Sequence, residues 1–136
     1  MKIISNIFSI NTKEHIQLKN ISKEVQEILS NSNLKEGIIT VYTRHTTSGI
    51  IINENERGLV QDIITTMKKL VPKGVGYKHD HIDSNAHSHI QSTLVPVSVS
   101  IPFSSGKLDL GTWQSIFFFE FDGPRSRTIL IKIMGE

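Results

Sequence analysis

Residues 113–134 read WQSIFFFEFDGPRSRTILIKIM, and this stretch decides the fold class. Residues 113–121 form a long apolar strand. Phe117, Phe118 and Phe119 are consecutive, and successive side chains of a strand point to opposite faces, so this strand has two apolar faces to cover. One face meets the domain core; the other requires a helix or a second subunit. Asp122-Gly123-Pro124-Arg125 is a turn. Residues 127–134 then alternate, with Ile129, Ile131 and Ile133 set against Leu130, Lys132 and Met134.

Working outward, residues 95–101 alternate and end at Pro102, and Ser104-Ser105-Gly106-Lys107 is a turn. Leu59, Val60, Ile63, Ile64, Met67, Leu70 and Val71 recur at helical spacing, the clearest helix of the chain. Asn53 or Asn55 can cap its start, Glu54 and Glu56 suit its positive end, and Pro72 stops it. Residues 73–84 read as a loop, and Asn85 caps a short helix over 86–94. Upstream, 37–43 and 48–52 are strands, and 21–30 is a helix with a stop at 31–33. Residues 2–10 and 14–18 are strands joined as a hairpin through Asn11-Thr12-Lys13. The order is ββαββααβββ. Grouped strands point to an α+β fold of mixed or antiparallel sheet layers, with two main helices and a short third one.

The 136 residues have a mass of 15.3 kDa and show no repeat or linker, which predicts a single domain over residues 1–136. Net charge is +2, and no Lys/Arg run exceeds Lys68-Lys69, so a nucleic-acid stripe is not indicated. No apolar run approaches a membrane span, which speaks against a membrane partner. The first residues lack a signal-peptide pattern, and there is no cysteine. Disulfides, thiolate metal sites and cysteine nucleophiles are thereby excluded. The expectation is a cytoplasmic protein.

Four segments carry chemistry-bearing side chains. His79, His81, His87 and His89 lie within eleven residues, and imidazole is both a metal ligand and a group that titrates near neutral pH. On a helix His87 and His89 diverge by about 200°, so only one of them can face a given site. The alternative reading is a set of solvated loop histidines. Arg44-His45-Thr46-Thr47-Ser48-Gly49 joins two strands and offers hydroxyls and a cation for phosphate or carboxylate. A hydroxyl-rich bend is the structural alternative. Asn53-Glu54-Asn55-Glu56 opens the long helix, as caps or with Glu54 as a base. Leu110-Gly111-Thr112-Trp113-Gln114 offers either a core tryptophan or a stacking platform for a flat ring. Arg125 can reach a phosphate. No P-loop, nucleophile elbow or dinucleotide fingerprint is present.

Together these segments resemble the YjbQ-like family, also known as the secondary thiamine-phosphate synthase family. The resemblance rests on His45-Thr46-Thr47, Asn53-Glu54-Asn55, Tyr77-Lys78-His79, Asn85-Ala86-His87-Ser88-His89, Leu110-Gly111-Thr112-Trp113-Gln114 and Glu120-Phe121-Asp122-Gly123-Pro124-Arg125, in that order along the chain. It implies an α+β homotrimer with a histidine pocket and a divalent metal, Zn²⁺ or Mg²⁺, held by His45, His79 and His89. It implies His45, Glu54 and His89 as catalytic residues. Thr46, Thr47, Asn53, Asn85, Trp113 and Gln114 follow as substrate-binding residues. His81 lies outside these motifs and His87 stands at an unspecified position within one, so the resemblance assigns neither to the site. The implied reaction joins hydroxymethylpyrimidine diphosphate to thiazole phosphate and releases pyrophosphate, so the partner is a phosphorylated small molecule. Three neutral histidines suit Zn²⁺ better than Mg²⁺. A zinc-dependent hydrolase is therefore an alternative. A non-catalytic metal- or ligand-binding trimer is another.

Overall fold

The structure, a computed structural model, describes residues 1–136. The strands are β1 (Lys2–Asn11), β2 (Gln17–Asn20), β3 (Glu36–Tyr42), β4 (Ser48–Glu54), β5 (Ser98–Ser104), β6 (Lys107–Leu108), β7 (Gln114–Glu120) and β8 (Ser126–Gly135). The helices are α1 (Ser22–Ser32), α2 (Arg57–Leu70) and α3 (Ala86–Thr93), with one 3₁₀ turn at Lys78–His81. The fold is α+β, as the grouped strands imply. Every strand pairing is antiparallel.

Two sheets face each other, one ordered β1-β8-β3-β5-β6 and the other β2-β7-β4. The alternation at the C-terminus sets the main core. Ile129, Ile131 and Ile133 of β8 are fully buried beside Ile39 and Val41 of β3. They meet Ile50, Ile116 and Phe118 from the small sheet, Val25 and Leu29 from α1 and Ile21 just before it. Phe117 and Phe119 point the other way. They join Phe121, Ile16, Leu18 and Met67 in a second cluster, with Val60, Ile63 and Ile64 of α2 packed on it. The second apolar face of β7 is therefore covered by a helix of the same chain. The outer face of the large sheet is left open. Its register aligns Ile3, Met134, Ile38 and Pro102 in one row across β1-β8-β3-β5, and Ile7, Leu130 and Tyr42 in another. Ile3, Ile7, Ile38 and Met134 are exposed.

Several local expectations are corrected. Residues 2–10 and 14–18 do not form a hairpin: β2 starts at Gln17 and pairs with β7, Leu18 opposite Phe119. The connecting residues are held instead by the Asp122–Arg125 turn, through Thr12 N–H to Arg125 O and Gly123 N–H to His15 O. At Gly123 a Cβ would stand 2.2 Å from the Glu14 carbonyl oxygen, so only glycine fits this crossing. β5 runs through Pro102, which lies opposite Ile38. Its carbonyl accepts from Asp109 N–H on the β6 side, so the missing N–H also falls away from β3. β6 is an additional short strand. Asn53 does not cap α2, because β4 extends to Glu54; the cap is Glu56, whose carboxylate accepts from Leu59 N–H.

One buried ion pair crosses between the sheets. Glu120 of β7 is 0% exposed and Arg127 of β8 is 4% exposed. Arg127 donates from Nε to Glu120 Oε1 and from Nη2 to Oε2. Thr12 Oγ1 donates to Glu120 Oε1 at 2.8 Å, Asp122 N–H donates to Oε2, and Arg127 Nη2 also reaches Thr47 Oγ1 at 2.8 Å. Removing one partner strands a charge in the core, which costs about 3–5 kcal/mol. We expect Glu120→Gln and Arg127→Met each to lower unfolding free energy by that order in urea titrations. The double variant Glu120→Gln/Arg127→Met should lose less than the sum of the two; a strictly additive double variant would contradict the coupling.

Candidate functional site

The β3–β4 bend, the N-terminal half of α3 and the turn after β7 meet at one end of the two sheets. α3 is fixed there by its own hydroxyls. Ser88 donates to Phe121 O at 2.7 Å and Ser92 to Ser48 O at 2.6 Å, four residues apart on one helix face. The β3–β4 bend is braced by Thr43 Oγ1 and Ser48 Oγ, 2.8 Å apart. Between these elements lies an open cleft of about 430 Å³, lined by Arg44, His45, Thr46, Thr47, Asp83, Asn85, His89, Asp122, Arg125 and Arg127. None of these is hydrophobic.

Five of the residues expected from sequence thus come together: His45, Thr46, Thr47, Asn85 and His89. His79, on the 3₁₀ turn, meets His89 edge to face, with ring centroids 4.9 Å apart. His81 is exposed and lines a separate hollow with Tyr77 and Asp80. Asn53, Glu54, Trp113 and Gln114 lie elsewhere. Glu54 and Gln114 pair at the opposite ends of β4 and β7 from Ser48 and Glu120. Seven strand residues separate them from the cleft by roughly 20 Å. Trp113 is 72% exposed and precedes β7 rather than beginning it. Gln114 Oε1 accepts from Gly111 N–H at 2.8 Å.

The cleft holds charges of both signs, most of them already engaged. Arg125 donates from Nη2 to Asp122 Oδ2 at 2.8 Å and from Nε to Asp122 O. Asn85 Nδ2 donates to the same Oδ2 at 3.0 Å. Burial alone would raise the Asp122 carboxyl, but donation from Asn85 and Arg125 outweighs it and holds the group below the ordinary aspartate value. Asn85 Oδ1 is buried without a partner. Arg127 is tied to Glu120; Arg44 forms no ion pair and faces solvent.

His45 Nε2 accepts from the backbone N–H of Thr128 at 3.0 Å. That bond places the ring proton on Nδ1. Burial, then the nearby Arg127 guanidinium, lowers the His45 pKa below the ordinary histidine value. His45 is therefore a neutral imidazole whose free position is an N–H donor. A metal ligand needs an unprotonated nitrogen facing the ion, so the expected set His45, His79 and His89 does not fit a zinc ion here. No three histidine or carboxylate side chains converge into a cation site anywhere in the chain. Asn85 and Asp83, which both line the cleft, carry oxygen donors of the kind Mg²⁺ takes.

Sequence reasoning left Arg127 out of the site. Arg127 had a signal: it shares the inward parity of Ile129, Ile131 and Ile133.

The fold and the cleft define a two-sheet α+β protein with a polar, arginine-containing site at one end of the sandwich. The chain belongs to the family described as UPF0047 protein YjbQ-like, whose model matches residues 6–136. It is 47% identical over 126 residues to a UPF0047 protein of Archaeoglobus fulgidus, covering 93% of this chain and 98% of that one. It is 36% identical to the UPF0047 protein YugU of Bacillus subtilis, covering 93% and 96%. Among solved structures, a YbjQ-like protein of unknown function from Sulfolobus solfataricus superposes with a TM-score of 0.96 at 38% identity, covering 99% of both chains. An uncharacterized yjbq/upf0047 protein of Clostridium acetobutylicum gives 0.90 at 38% identity, covering 95% and 99%. No helix is long and apolar enough to cross a membrane.

The His45 tautomer is measurable. In ¹⁵N-edited spectra at neutral pH we expect Nδ1 protonated and Nε2 bare. On titration His45 should gain its proton below the ordinary histidine value. The sign follows: the unfolded chain takes up this proton first, so acidification through that window disfavours the folded state. A His45 ring protonated on Nε2 at neutral pH would refute the assignment.

Proposed function

We propose that the cleft binds the phosphate groups of a small molecule and that the protein is a transferase of the thiamine-phosphate-synthase type. The observation that carries this reading is the lining itself: three arginines, two threonine hydroxyls and the His45 Nδ1–H around one polar cleft. In the proposed reaction the thiazole nitrogen attacks the methylene carbon of hydroxymethylpyrimidine diphosphate, and the carbon–oxygen bond to the diphosphate breaks. The charge that develops on the leaving diphosphate needs fixed cations and N–H donors. Arg44, the unengaged Nη1 of Arg125 and the His45 Nδ1–H are placed to supply them. The Thr46 and Thr47 hydroxyls are further donors, although Thr47 is partly committed to Arg127. Mg²⁺ is the cofactor this donor set favours, through Asn85 and Asp83, and it would neutralise diphosphate charge when bound. A zinc hydrolase would require His45 to release Thr128.

Trp113, Gln114, Asn53 and Glu54 are assigned to the same pocket by resemblance, yet they lie at the far end of β4 and β7. We infer that one protomer's Trp113 end serves the cleft of another within a homotrimer. The open outer face of the large sheet, with its two apolar rows, is the surface such an assembly would cover.

Incubation with both precursors and Mg²⁺ should yield thiamine phosphate and pyrophosphate, with Arg44→Ala and His45→Ala each lowering kcat/KM by about 10²-fold. Full activity in both variants would remove the cleft from the reaction. No product under any metal condition would remove the reaction itself. Mixing inactive His45→Ala and Trp113→Ala protomers should restore part of the activity if sites are shared; none regained from a confirmed mixed oligomer would place each site within one chain.

A further inference from the structure

The cleft does not end at its arginines. It continues into a side pocket of about 370 Å³ that shares Arg44, His45, Thr46 and His89 with it. The walls that the side pocket adds come from the end of β3, the end of α3 and the residue before β5. They are Tyr42, Thr43, Ser92, Thr93 and Val97. Thr43 N–H donates to Val97 O at 3.0 Å, which extends the β3–β5 pairing past Tyr42 and Ser98 and fixes this wall beside the cleft.

The two halves differ in chemistry. The cleft has no hydrophobic residue in its lining and carries arginines and carboxylates together. The side pocket has no carboxylate, and Arg44 is its single guanidinium. Its added hydroxyls are committed to the protein. Thr43 Oγ1 and Ser48 Oγ lie 2.8 Å apart, Ser92 donates to Ser48 O at 2.6 Å, and Thr93 donates to Ile90 O at 2.6 Å. What the added wall offers a ligand is therefore the half-buried Tyr42 ring and the Val97 methyl groups, the latter in a residue 45% exposed. Aromatic and aliphatic groups next to a few fixed polar ones are the usual composition of a small-molecule site. Trp113 lies before the far end of β7, so within one chain Tyr42, not Trp113, adjoins the arginines.

We propose that this side pocket holds the organic part of the phosphorylated substrate, that this part is a flat aromatic ring, and that Tyr42 selects for it. The proposal rests on the phosphate reading of the cleft and adds the residue that recognises what the phosphate is attached to. The ring packs against Tyr42 and Val97, while the phosphate stays with Arg44 and His45, which line both halves. Offset or edge-to-face contact with the Tyr42 ring gains more than the same area of aliphatic contact. A positively charged ring is disfavoured, since Arg44 lines the pocket and no carboxylate there balances a second cation. A bare phosphate would leave the Tyr42 wall unused.

The test uses three probes on the full chain: phenyl phosphate, cyclohexyl phosphate as its non-flat counterpart, and methyl phosphate, which has almost no organic part. Affinities are read by calorimetry and the seat of the ring by nuclear Overhauser contacts. Phenyl phosphate should bind about tenfold more tightly than methyl phosphate and about threefold more tightly than cyclohexyl phosphate. Its ring protons should contact the Val97 methyl groups and the Tyr42 ring. Tyr42→Leu should remove the preference for phenyl over cyclohexyl and leave methyl phosphate within about twofold. Val97→Trp, a change at an exposed side chain that fills the pocket, should remove the preference for phenyl over methyl. Arg44→Ala should weaken all three alike. Methyl phosphate binding with no gain for phenyl, equal binding of phenyl and cyclohexyl phosphate, or ring contacts away from Tyr42 and Val97 would each overturn this proposal and leave the phosphate reading standing. No saturable binding of any of the three would overturn the phosphate reading, and this proposal with it.

Discussion

The buried contact between Glu120 and Arg127 is the constraint on which the rest depends. Two ionised groups in an apolar sandwich are tolerated only when every lone pair and N–H has a partner. Glu120 has neighbours on either side, Phe119 and Phe121, that are almost wholly buried, so its carboxylate cannot reach water. Its partners must therefore come from the protein. Thr12 comes from the crossover after β1, Thr47 from the bend before β4, and the Asp122 N–H from the turn after β7. Three loops with no periodic pattern of their own are thereby fixed at one end of the sheets. Those loops, with the start of α3, are the walls of the cleft. The His45 pKa is lowered first by burial and then by the same Arg127 that satisfies Glu120, so the ion pair that shapes the site also contributes to the electrostatics within it.

The extent to which the fold was legible in the sequence follows from range. Periodicity within one element is a local signal, and it located all three helices and nearly every strand. Partner choice is not local. Residues 14–18 look like the return strand of a hairpin because turn residues precede them. Their partner is nonetheless β7, about a hundred residues away, since Leu18 finds its apolar surroundings beside Phe119 and α2. Pro102 suggests a strand end, since a proline lacks the N–H that a ladder uses. It does not break this one, because its deficient side faces the two-residue β6 rather than β3.

The site divides along the same line. His45, Thr46, Thr47, Asn85 and His89 were legible as motifs and lie together, because strand ends and helix starts at one edge are what such motifs encode. Trp113, Gln114, Asn53 and Glu54 have equally recognisable motifs but occupy the other end of the same two strands. A motif gives residue type and spacing; it does not say which end of an antiparallel pair a residue occupies, nor whether its counterpart belongs to the same chain. Arg127 could have been found by parity, since an arginine in register with three buried isoleucines must point inward and must meet a carboxylate.

The histidine tautomers carry the distinction between metal chemistry and proton chemistry. A ligand set needs bare nitrogens turned toward one point. In the cleft the backbone of β8 takes the bare nitrogen of His45 and leaves its N–H on the other ring nitrogen, in a residue that lines the cleft with Arg44, Arg125 and Arg127. Burial first, and then the nearby Arg127 guanidinium, disfavour a protonated imidazole here. A neutral one can donate to an anionic oxygen without adding charge, and it can do so at any pH above its lowered pKa. Fixed charge comes from arginines that cannot lose a proton, and directional donation comes from a histidine that does not hold a second one. That division of labour is what the transferase we propose would use when a phosphate-bearing group departs.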